Sequence, residues 1–275
     1  MSSFVIKTIG NALNATSYVS PRYASKKAIH LFSKPRKGKY NENQNAIIAT
    51  AKRTQLSWHD LDISVYVWEG NGPTILLAHG WESNASRWSY LLKDLRAQDY
   101  TVIALDAPAH GNSGGKVFNA VLYSEFISET VKYFNPEVLI GHSVGGMASI
   151  FCLHNYQSPS VTKLISLGAP AHFDGVFSRY KNMMGYNHRI SKGMERLVVE
   201  RFGKTTDYFS AANFTKDFEI KGLIIHDKKD KIIPYEDALL FSNKFKNSEL
   251  ITTEGFGHSL KDNSLTPKII DFINR

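Results

Sequence analysis

Cysteine is nearly absent from this sequence: Cys152 is the single one among 275 residues, so no disulfide can form within the chain. No apolar run approaches the roughly 18 consecutive residues that a membrane-spanning helix needs. The first charged residue, Lys7, lies inside the mixed N-terminal stretch, whereas a secretory signal places positive charge before its apolar core. We therefore expect a cytoplasmic protein with a buried Cys152 thiol. A transit-like presequence, which is also poor in acidic residues, is the alternative.

Acidic residues are absent from positions 1–41, although eight basic residues occur there. This segment carries the whole net charge of +8, because positions 42–275 contain 25 acidic and 25 basic residues. The body of the protein is therefore neutral, which argues against a nucleic-acid partner. The basic residues of the segment are Lys7, Arg22, Lys26, Lys27, Lys34, Arg36, Lys37 and Lys39.

Signals for a bound cofactor are missing as well. Nowhere in the sequence do His, Cys and carboxylate residues cluster at the spacings of a metal site. The glycine-rich stretch 111–115 lacks the Gly-Lys-Ser/Thr ending of a phosphate-binding loop. The sequence thus predicts no metal and no nucleotide cofactor. Its 43% hydrophobic and 21% charged residues are typical of a globular protein with a sizeable core.

What the sequence does contain is a regular alternation of apolar runs and amphipathic segments. The apolar runs predict strands at 54–58, 63–69, 74–78, 101–105, 137–140, 163–167, 222–227 and 249–252. Helices are predicted at 86–98, 119–134, 144–154, 235–245 and 266–275. This order predicts an α/β fold with a doubly wound, mostly parallel sheet flanked by helices. Polar motifs follow the strands, at the carboxyl edge where such sheets bind ligands.

The interruption of this alternation suggests a domain organisation. We expect residues 54–170 and 219–275 to form the core, and residues 1–53 to form a basic N-terminal accessory segment. Residues 171–218 have no strand pattern and many large apolar side chains, which favours a small helical cap inserted between two strands. An ordinary helical connection is the alternative, although a plain crossover needs only about a dozen residues.

The accessory segment contains one predicted helix, from Ser20 to about Ser33, which Pro35 ends. We expect this helix to dock on the domain with its basic residues in solvent. The alternative is a basic amphipathic contact with an anionic membrane surface or a partner.

The stretch 138–146 indicates a buried strand, a tight turn and the start of a helix. Its residues 141–145 read Gly-His-Ser-Val-Gly, which matches the G-x-S-x-G nucleophile elbow. In such a turn Ser143 exposes its hydroxyl, while Gly141 and Gly145 let the strand and helix backbones approach closely. A serine hydroxyl is a weak nucleophile at neutral pH, so the chemistry requires a neighbouring base and donors for an oxyanion.

Together with further motifs, the elbow makes the chain resemble the α/β-hydrolase superfamily over about residues 54–275. In chain order these motifs are His79-Gly80-Trp81, the loop 106–113 (Asp-Ala-Pro-Ala-His-Gly-Asn-Ser), the elbow, Asp230 with Ile233-Pro234, and the loop 255–259 (Gly-Phe-Gly-His-Ser). The resemblance implies a catalytic triad in the order nucleophile, acid, histidine.

The resemblance assigns Ser143 as the nucleophile, Asp230 as the acid and His258 as the base. An imidazole suits the base because it titrates near neutral pH, and His258 lies in a glycine-flanked loop after the last strand. Asp230 occupies the aspartate position of the family pattern His-Gly-x-x-Asp. Asp227, which replaces the glycine of that pattern, is the alternative acid.

Other residues at this edge of the sheet receive supporting roles. His79, His110 and His142 are interpreted as loop-bracing or pocket residues. Two backbone N–H groups, those of Val144 and Trp81, are the expected oxyanion donors, which leaves the Trp81 ring free to wall the pocket.

One further departure from the family pattern concerns the loop 106–113. Ala109 stands where the family often has glycine, and we expect it to change the loop conformation without changing the chemistry.

These residues predict a serine hydrolase of the carboxylesterase type, which cleaves an ester or thioester of a small, largely apolar substrate through an acyl-enzyme. A C–C bond hydrolase, an amidase, a lactonase and a serine-type peroxidase would use the same residues. A non-catalytic binding protein and a peripheral membrane lipase that depends on the basic segment are alternatives of other kinds.

Overall fold

The computed structural model describes residues 3–275, which form two compact units. Unit 1 comprises the described residues up to Lys34 together with His172–Ser210, and unit 2 comprises Pro35–Ala171 and Ala211–Arg275. Unit 1 thus combines part of the predicted accessory segment with most of the predicted insertion. Within residues 3–275, every helix falls short of the length and apolar character that spanning a bilayer requires.

Helices and strands follow one another along the described chain. The helices are α1 (Ser3–Val19), α2 (Pro21–Ser33), α3 (Glu42–Ile48), α4 (Ser89–Ala97), α5 (Ala120–Phe134), α6 (Val144–Asn155), α7 (Phe173–Met184), α8 (His188–Phe202), α9 (Ala211–Phe214), α10 (Glu236–Lys244) and α11 (Thr266–Asn274). The strands are β1 (Lys52–Trp58), β2 (Leu61–Trp68), β3 (Gly72–Ala78), β4 (Tyr100–Leu105), β5 (Val138–His142), β6 (Lys163–Leu167), β7 (Lys221–Asp227) and β8 (Ser248–Thr253).

The strands of unit 2 form one sheet in the order β1-β2-β4-β3-β5-β6-β7-β8. Pairing is antiparallel between β1 and β2 and between β2 and β4, and parallel elsewhere. This confirms the predicted doubly wound, mostly parallel sheet. Because β3 lies between β4 and β5, the winding reverses there, and the ends of β3 and β5 meet at the switch point where such sheets bind ligands.

The central strands are apolar because both faces of the sheet are covered by helices. The side chains of β5 are buried along its whole length, and β7 is buried from Gly222 to Asp227. On one face, Ile75 and Leu77 of β3 belong to the same buried cluster as Trp88. This packing leaves the loops at the carboxyl edge as the place where polar groups can gather.

Unit 1 is built on close contacts between its helices. Ala24, Ser25 and Ala28 form a small buried face of α2, and a Cβ placed on Gly193 of α8 would lie 2.0 Å from the Ser25 hydroxyl. The absence of a side chain at Gly193 therefore lets these two helices approach closely. The predicted helix at about 20–33 is confirmed as α2.

Helix α1 was not predicted from the sequence. Its serine, threonine and asparagine residues favour turns and caps, because their side chains compete for backbone groups. Here the Thr8 and Thr16 hydroxyls donate to the carbonyls of Phe4 and Ala12, each four residues earlier, at 2.9 and 2.8 Å. Both hydroxyl groups therefore find hydrogen-bond acceptors within α1, and the helix continues through these residues.

Two buried histidines brace the loops that follow β3 and β4 in unit 2. His79 Nε2 accepts the N–H of Ala107 and His110 Nε2 accepts the N–H of Glu82, both at 3.0 Å, so each ring joins one loop to the other. In both rings Nδ1 pairs with a nearby carbonyl, at 2.7 and 2.8 Å, which makes Nδ1 the protonated nitrogen of a neutral imidazole. Burial lowers the pKa of both His79 and His110 to about 4.

We predict that the free energy of unfolding decreases as the pH falls from about 6.5 to about 4. The pKa of each histidine is lower in the folded state, so the unfolded chain binds more protons in this range. The loss is on the order of 3 kcal/mol per histidine, since one pKa unit corresponds to about 1.4 kcal/mol. Urea unfolding at several pH values measures it. The variant His110→Gln, which keeps an acceptor but cannot titrate, should flatten the slope, and an unchanged slope would contradict the assignment.

Candidate active site

Ser143 occupies a strained turn directly after β5. Its φ and ψ angles are +54° and −127°, a conformation that non-glycine residues rarely adopt and that costs on the order of 1–3 kcal/mol. The turn is held because the Ser143 N–H donates to the Leu167 carbonyl at 2.8 Å and the Ser143 carbonyl accepts the N–H of Gly146 at 2.9 Å. The neighbouring strand and the helix start therefore fix this residue from both sides.

Three glycines allow the backbones around Ser143 to pack closely. A Cβ on Gly141 would lie 2.4 Å from the Gly146 Cα, and a Cβ on Gly145 would lie 2.3 Å from the Ala78 carbonyl oxygen. This is the close approach predicted for the elbow glycines. The sequence did not reveal the role of Gly80, whose added Cβ would lie 3.0 Å from the Ser143 Cβ. The loop after β3 therefore lies directly against the elbow.

The structure brings together the three residues that the sequence predicts as a triad. His258 Nε2 lies 3.0 Å from the Ser143 hydroxyl, and His258 Nδ1 lies 2.7 Å from Asp230 Oδ2. With Asp230 ionised, Nδ1 carries the proton and donates it, so Nε2 is left as the acceptor for the serine hydroxyl. The chain of hydrogen bonds therefore has the polarity that a serine nucleophile requires.

The side chain of Asp230 is buried, yet it is held as a carboxylate. Burial alone would raise its pKa, but hydrogen bonds from His226 and His258 and from the N–H groups of Ile233 and Ile232 hold the pKa well below the usual range. His226 Nε2 lies 3.4 Å from Asp230 Oδ2 and 3.0 Å from the Ile233 carbonyl. The charge that faces His258 therefore persists throughout the neutral pH range.

Asp227, the alternative acid, is engaged elsewhere. Its Oδ2 accepts the Thr253 hydroxyl at 2.7 Å and the Phe256 N–H at 2.8 Å, and its Oδ1 accepts the Lys229 N–H at 2.9 Å. Burial opposes ionisation, but these hydrogen bonds lower the pKa of Asp227 to about 2. Its carboxylate thus joins the end of β7 to the end of β8 and the loop that leads to His258.

Two buried side chains donate hydrogen bonds to backbone carbonyls of the His258 loop. His142 Nε2 donates to the His258 carbonyl at 2.8 Å, and the Arg87 guanidinium donates to the next carbonyl, that of Ser259. Burial, with the positive charge of Arg87 as the next contribution, holds the pKa of His142 well below its usual value, so the ring stays neutral. His142 is thus a bracing residue beside Ser143. The contact of Arg87 with this edge of the sheet was not predicted from the sequence.

The expected oxyanion donors lie on the two loops that flank the nucleophile. Val144 is the first residue of α6, where a helix has N–H groups without an intrahelical acceptor. Trp81 follows Gly80, and its ring packs on His110 and Phe118 at centroid distances of 5.3 and 5.2 Å. Within residues 3–275, neither the Val144 N–H nor the Trp81 N–H makes a hydrogen bond to a protein acceptor.

Asp106, the residue that follows β4, lies in a buried cluster that was not predicted from the sequence. Its carboxylate accepts the hydroxyls of Tyr40 and Tyr66 at 2.7 and 3.0 Å and the N–H groups of Ala85 and Asn112, both at 2.9 Å. Burial raises the pKa of Asp106 despite these donors. Tyr40 lies in the segment before the first strand, outside the motifs of the α/β core. Its sequence position therefore does not reveal its contact with Asp106. The cluster orders the loops beside the elbow.

Ala109 keeps a backbone conformation that favours glycine. Its φ angle is +64°, in the left-handed region, and its N–H donates to the Gly114 carbonyl at 2.8 Å. The alanine therefore accepts a strain of about 1–2 kcal/mol. Ala109 thus adopts a conformation that favours glycine, and its effect on the loop relative to other family members stays a prediction.

Residues for a metal centre are not gathered at this edge. Across residues 3–275, no three His, Cys, Asp or Glu side chains are grouped so that they could hold a metal ion. The carboxylates of Asp106, Asp227 and Asp230 instead accept hydrogen bonds from side chains and backbone N–H groups.

A sequence model of the alpha/beta hydrolase family matches residues 75–238. The chain belongs to the alpha/beta hydrolase family. One curated relative of this hydrolase, a bifunctional esterase/perhydrolase from Acinetobacter calcoaceticus, is 24% identical over 239 residues, which cover 69% of this chain and 86% of the relative. A pimeloyl-acyl-carrier-protein methyl ester esterase from Vibrio parahaemolyticus is 26% identical over 147 residues, 52% of this chain and 53% of the relative.

Solved structures show the same fold. An esterase from Pyrococcus furiosus superposes with a TM-score of 0.65 at 18% identity, over 88% of this chain and 96% of that chain. A bromoperoxidase from Bacillus anthracis superposes with a TM-score of 0.63 at 18% identity, over 82% of this chain and all of that chain. This hydrolase therefore shares the α/β-hydrolase fold with proteins whose sequences have diverged widely.

The two aspartates of the hydrolase should respond differently to substitution. We predict that Asp230→Asn lowers kcat by about 10³–10⁴-fold with a folded protein, because the neutral amide no longer orients and stabilises His258. Asp227→Asn should lower the melting temperature and leave kcat within about tenfold of wild type, since the hydrogen bond between His258 and Asp230 persists. Hydrolysis of a p-nitrophenyl ester and thermal unfolding measure the two effects. The reverse pattern would make Asp227 the acid.

Gly145→Ala should be strongly destabilising, by about 3 kcal/mol or more, because the new Cβ meets the backbone carbonyl oxygens of Ala78 and His79 at 2.3 and 2.5 Å. Gly257→Ala in the same unit is the matched control. Gly257 has a φ of +60° and open space around its Cα, so alanine there adds only backbone strain of about 1–2 kcal/mol. Chemical unfolding compares the two variants, and equal losses would contradict the close-contact explanation.

Proposed function

We propose that this protein is a serine hydrolase that cleaves an ester or thioester of a small, largely apolar acid through an acyl-enzyme. The observation that carries the proposal is the continuous set of hydrogen bonds from Ser143 through His258 to Asp230, at 3.0 and 2.7 Å. Family membership makes the chain a hydrolase of the α/β fold. The finer assignment of reaction and residues is our inference from this geometry.

In the first half of the proposed reaction, the Ser143 hydroxyl oxygen attacks the carbonyl carbon of the substrate as its proton passes to His258 Nε2. The imidazolium that forms is stabilised by the Asp230 carboxylate. The carbonyl oxygen becomes an oxyanion, which the N–H groups of Trp81 and Val144 receive. The intermediate then expels the alcohol or thiol, which takes the proton from His258 and leaves the acyl group on Ser143.

In the second half, His258 acts as a base again. It removes a proton from a water molecule, whose oxygen attacks the acyl carbon, and the same N–H groups stabilise the second oxyanion. Collapse of this intermediate breaks the bond to Ser143, returns the proton to the serine oxygen and releases the carboxylic acid. No metal or organic cofactor has a step in this scheme.

The substrate class rests on the relatives named above together with the chemistry of the site. Two curated relatives carry the names esterase/perhydrolase and methyl ester esterase, and both names describe ester cleavage. A serine nucleophile forms acyl intermediates from esters and thioesters alike. Oxygen esters and thioesters of short apolar acids are therefore the substrates to test first.

Labelling with a fluorophosphonate probe tests the proposal, because this reagent modifies serines that a neighbouring base activates. We predict a single adduct on the wild-type protein, measured by intact mass, and no adduct on Ser143→Ala. Ser259→Ala is the matched control: this serine is exposed in the His258 loop, its backbone carbonyl accepts from Arg87, and its hydroxyl accepts a long hydrogen bond of 3.5 Å from the Lys261 N–H.

The control should label like wild type, and a panel of p-nitrophenyl esters and acyl thioesters would then rank the substrates. Absence of labelling on folded wild-type protein, or an adduct that persists in Ser143→Ala, would overturn the proposal.

A further inference from the structure

Helix α1 presents an unusually apolar face to solvent. We define its apolar stripe as Phe4, Ala12, Ala15, Tyr18 and Val19, all of them exposed. At about 100° per residue these positions share an arc of about 120°, which also contains the exposed Thr8 and Asn11, and they extend over about 20 Å of the helix axis. Phe4, Tyr18 and Val19 are 79%, 70% and 91% exposed. A helix on a protein surface normally exposes polar residues to water. The exposed apolar side chains of this stripe therefore indicate a surface that binds a partner molecule or a membrane.

The stripe belongs to a wider pattern in unit 1. Of the thirteen large apolar side chains that are exposed among residues 3–275, nine lie in unit 1, although it is the smaller unit. These nine are Phe4, Val5, Tyr18, Val19, Tyr23, Leu31, Met183, Val199 and Tyr208. Exposed apolar surface is therefore concentrated in one part of the chain.

The net charge is concentrated in the same unit. Unit 1 contains twelve basic and four acidic residues, whereas unit 2 contains 21 of each, so unit 1 carries the entire net charge of +8. None of the four acidic residues lies in α1 or α2. The unit that displays the apolar stripe is therefore strongly cationic.

Basic groups lie beside the exposed rings at the turn between α1 and α2. The Arg189 guanidinium is 5.1 Å from the centroid of the Tyr18 ring, and Lys27 Nζ is 5.4 Å from the centroid of the Tyr23 ring. Val19, the residue after Tyr18 in the chain, is almost completely exposed. Aromatic rings next to lysine or arginine are typical of groups at a bilayer interface, where the rings lie at headgroup depth and the cations meet phosphates.

We propose that unit 1 docks on an anionic lipid surface, with the α1 stripe inserted at the level of the headgroups and the surrounding basic residues on lipid phosphates. An interfacial helix of this kind lies in the plane of the membrane surface. A second copy of the chain fits less well, because it would bring two surfaces of charge +8 together. A nucleic acid would neutralise the cations but would leave the apolar stripe in water. Of these three occupants, a lipid surface satisfies both features.

This proposal goes beyond the proposed hydrolase activity and does not depend on it. It adopts the membrane contact that the sequence offered as the alternative for the segment 20–33, and it assigns the apolar part of that contact to α1. Because lipid binding and catalysis use different residues, Ser143→Ala should bind membranes like wild type. Failure of one proposal is thus distinguishable from failure of the other.

Co-sedimentation of the full chain with vesicles tests the docking. We compare vesicles of phosphatidylcholine alone with vesicles that also contain phosphatidylglycerol. The apolar variant is Phe4→Ser/Tyr18→Ser/Val19→Ser, and its matched control replaces three exposed apolar residues of unit 2, Tyr133→Ser/Leu239→Ser/Leu240→Ser.

The charge variant is Lys26→Glu/Lys27→Glu, and its matched control is Lys244→Glu/Lys246→Glu, a pair of exposed lysines in unit 2. Thermal unfolding verifies that each variant is folded.

We expect binding to the anionic vesicles only, weakened by added salt and reduced at least about tenfold in both unit 1 variants. The control variants should bind like wild type. Absence of binding to anionic vesicles, or equal losses in the controls, would overturn the proposal. A dimer in solution that the apolar variant abolishes, without vesicle binding, would assign the stripe to a second copy instead.

Discussion

The close approach of three backbone segments at the switch point between β3 and β5 is the constraint on which the rest of the site depends. Glycines at positions 80, 141 and 145 leave no room for side chains, so the loop after β3, the end of β5 and the start of α6 lie in direct contact. This packing holds Ser143 in a conformation that an isolated turn would avoid. The strain is sustained because the sheet and the helix are anchored in the core.

Asp227, at the end of β7, and Asp230, in the loop that follows, have different contacts. Asp227 uses its carboxylate to hold the ends of β7 and β8 together, through Thr253 and the backbone that leads to His258. Three residues later, Asp230 turns its charge toward the imidazole. Both carboxylates are ionised because hydrogen bonds outweigh the cost of burial. The pKa values of Asp227 and Asp230 are both lowered, so acidity does not distinguish the two residues. They differ in their position in the loop, which places only Asp230 beside His258.

The sheet could be predicted from the sequence because buried parallel strands are nearly continuous apolar runs. The glycines of the elbow likewise indicate a tight turn. The sequence also singled out Ser143, Asp230 and His258, which the structure brings within hydrogen-bonding distance. Helix α1 escaped prediction because its hydroxyl side chains favour turns unless they bond within the helix. The roles of Arg87 and Tyr40 were not predicted because they depend on contacts with residues far away in the chain. Such contacts leave no pattern in the local sequence.

We infer that catalysis passes through a covalent bond to Ser143, and pre-steady-state hydrolysis of a p-nitrophenyl ester measures the formation of that bond. We predict a rapid burst of p-nitrophenol close to one equivalent per protein molecule, together with an acyl group on the peptide that carries Ser143 after acid quenching. Neither the burst nor the adduct should appear in Ser143→Ala. Linear release without an adduct, or turnover that Ser143→Ala retains, would exclude an acyl-enzyme on Ser143.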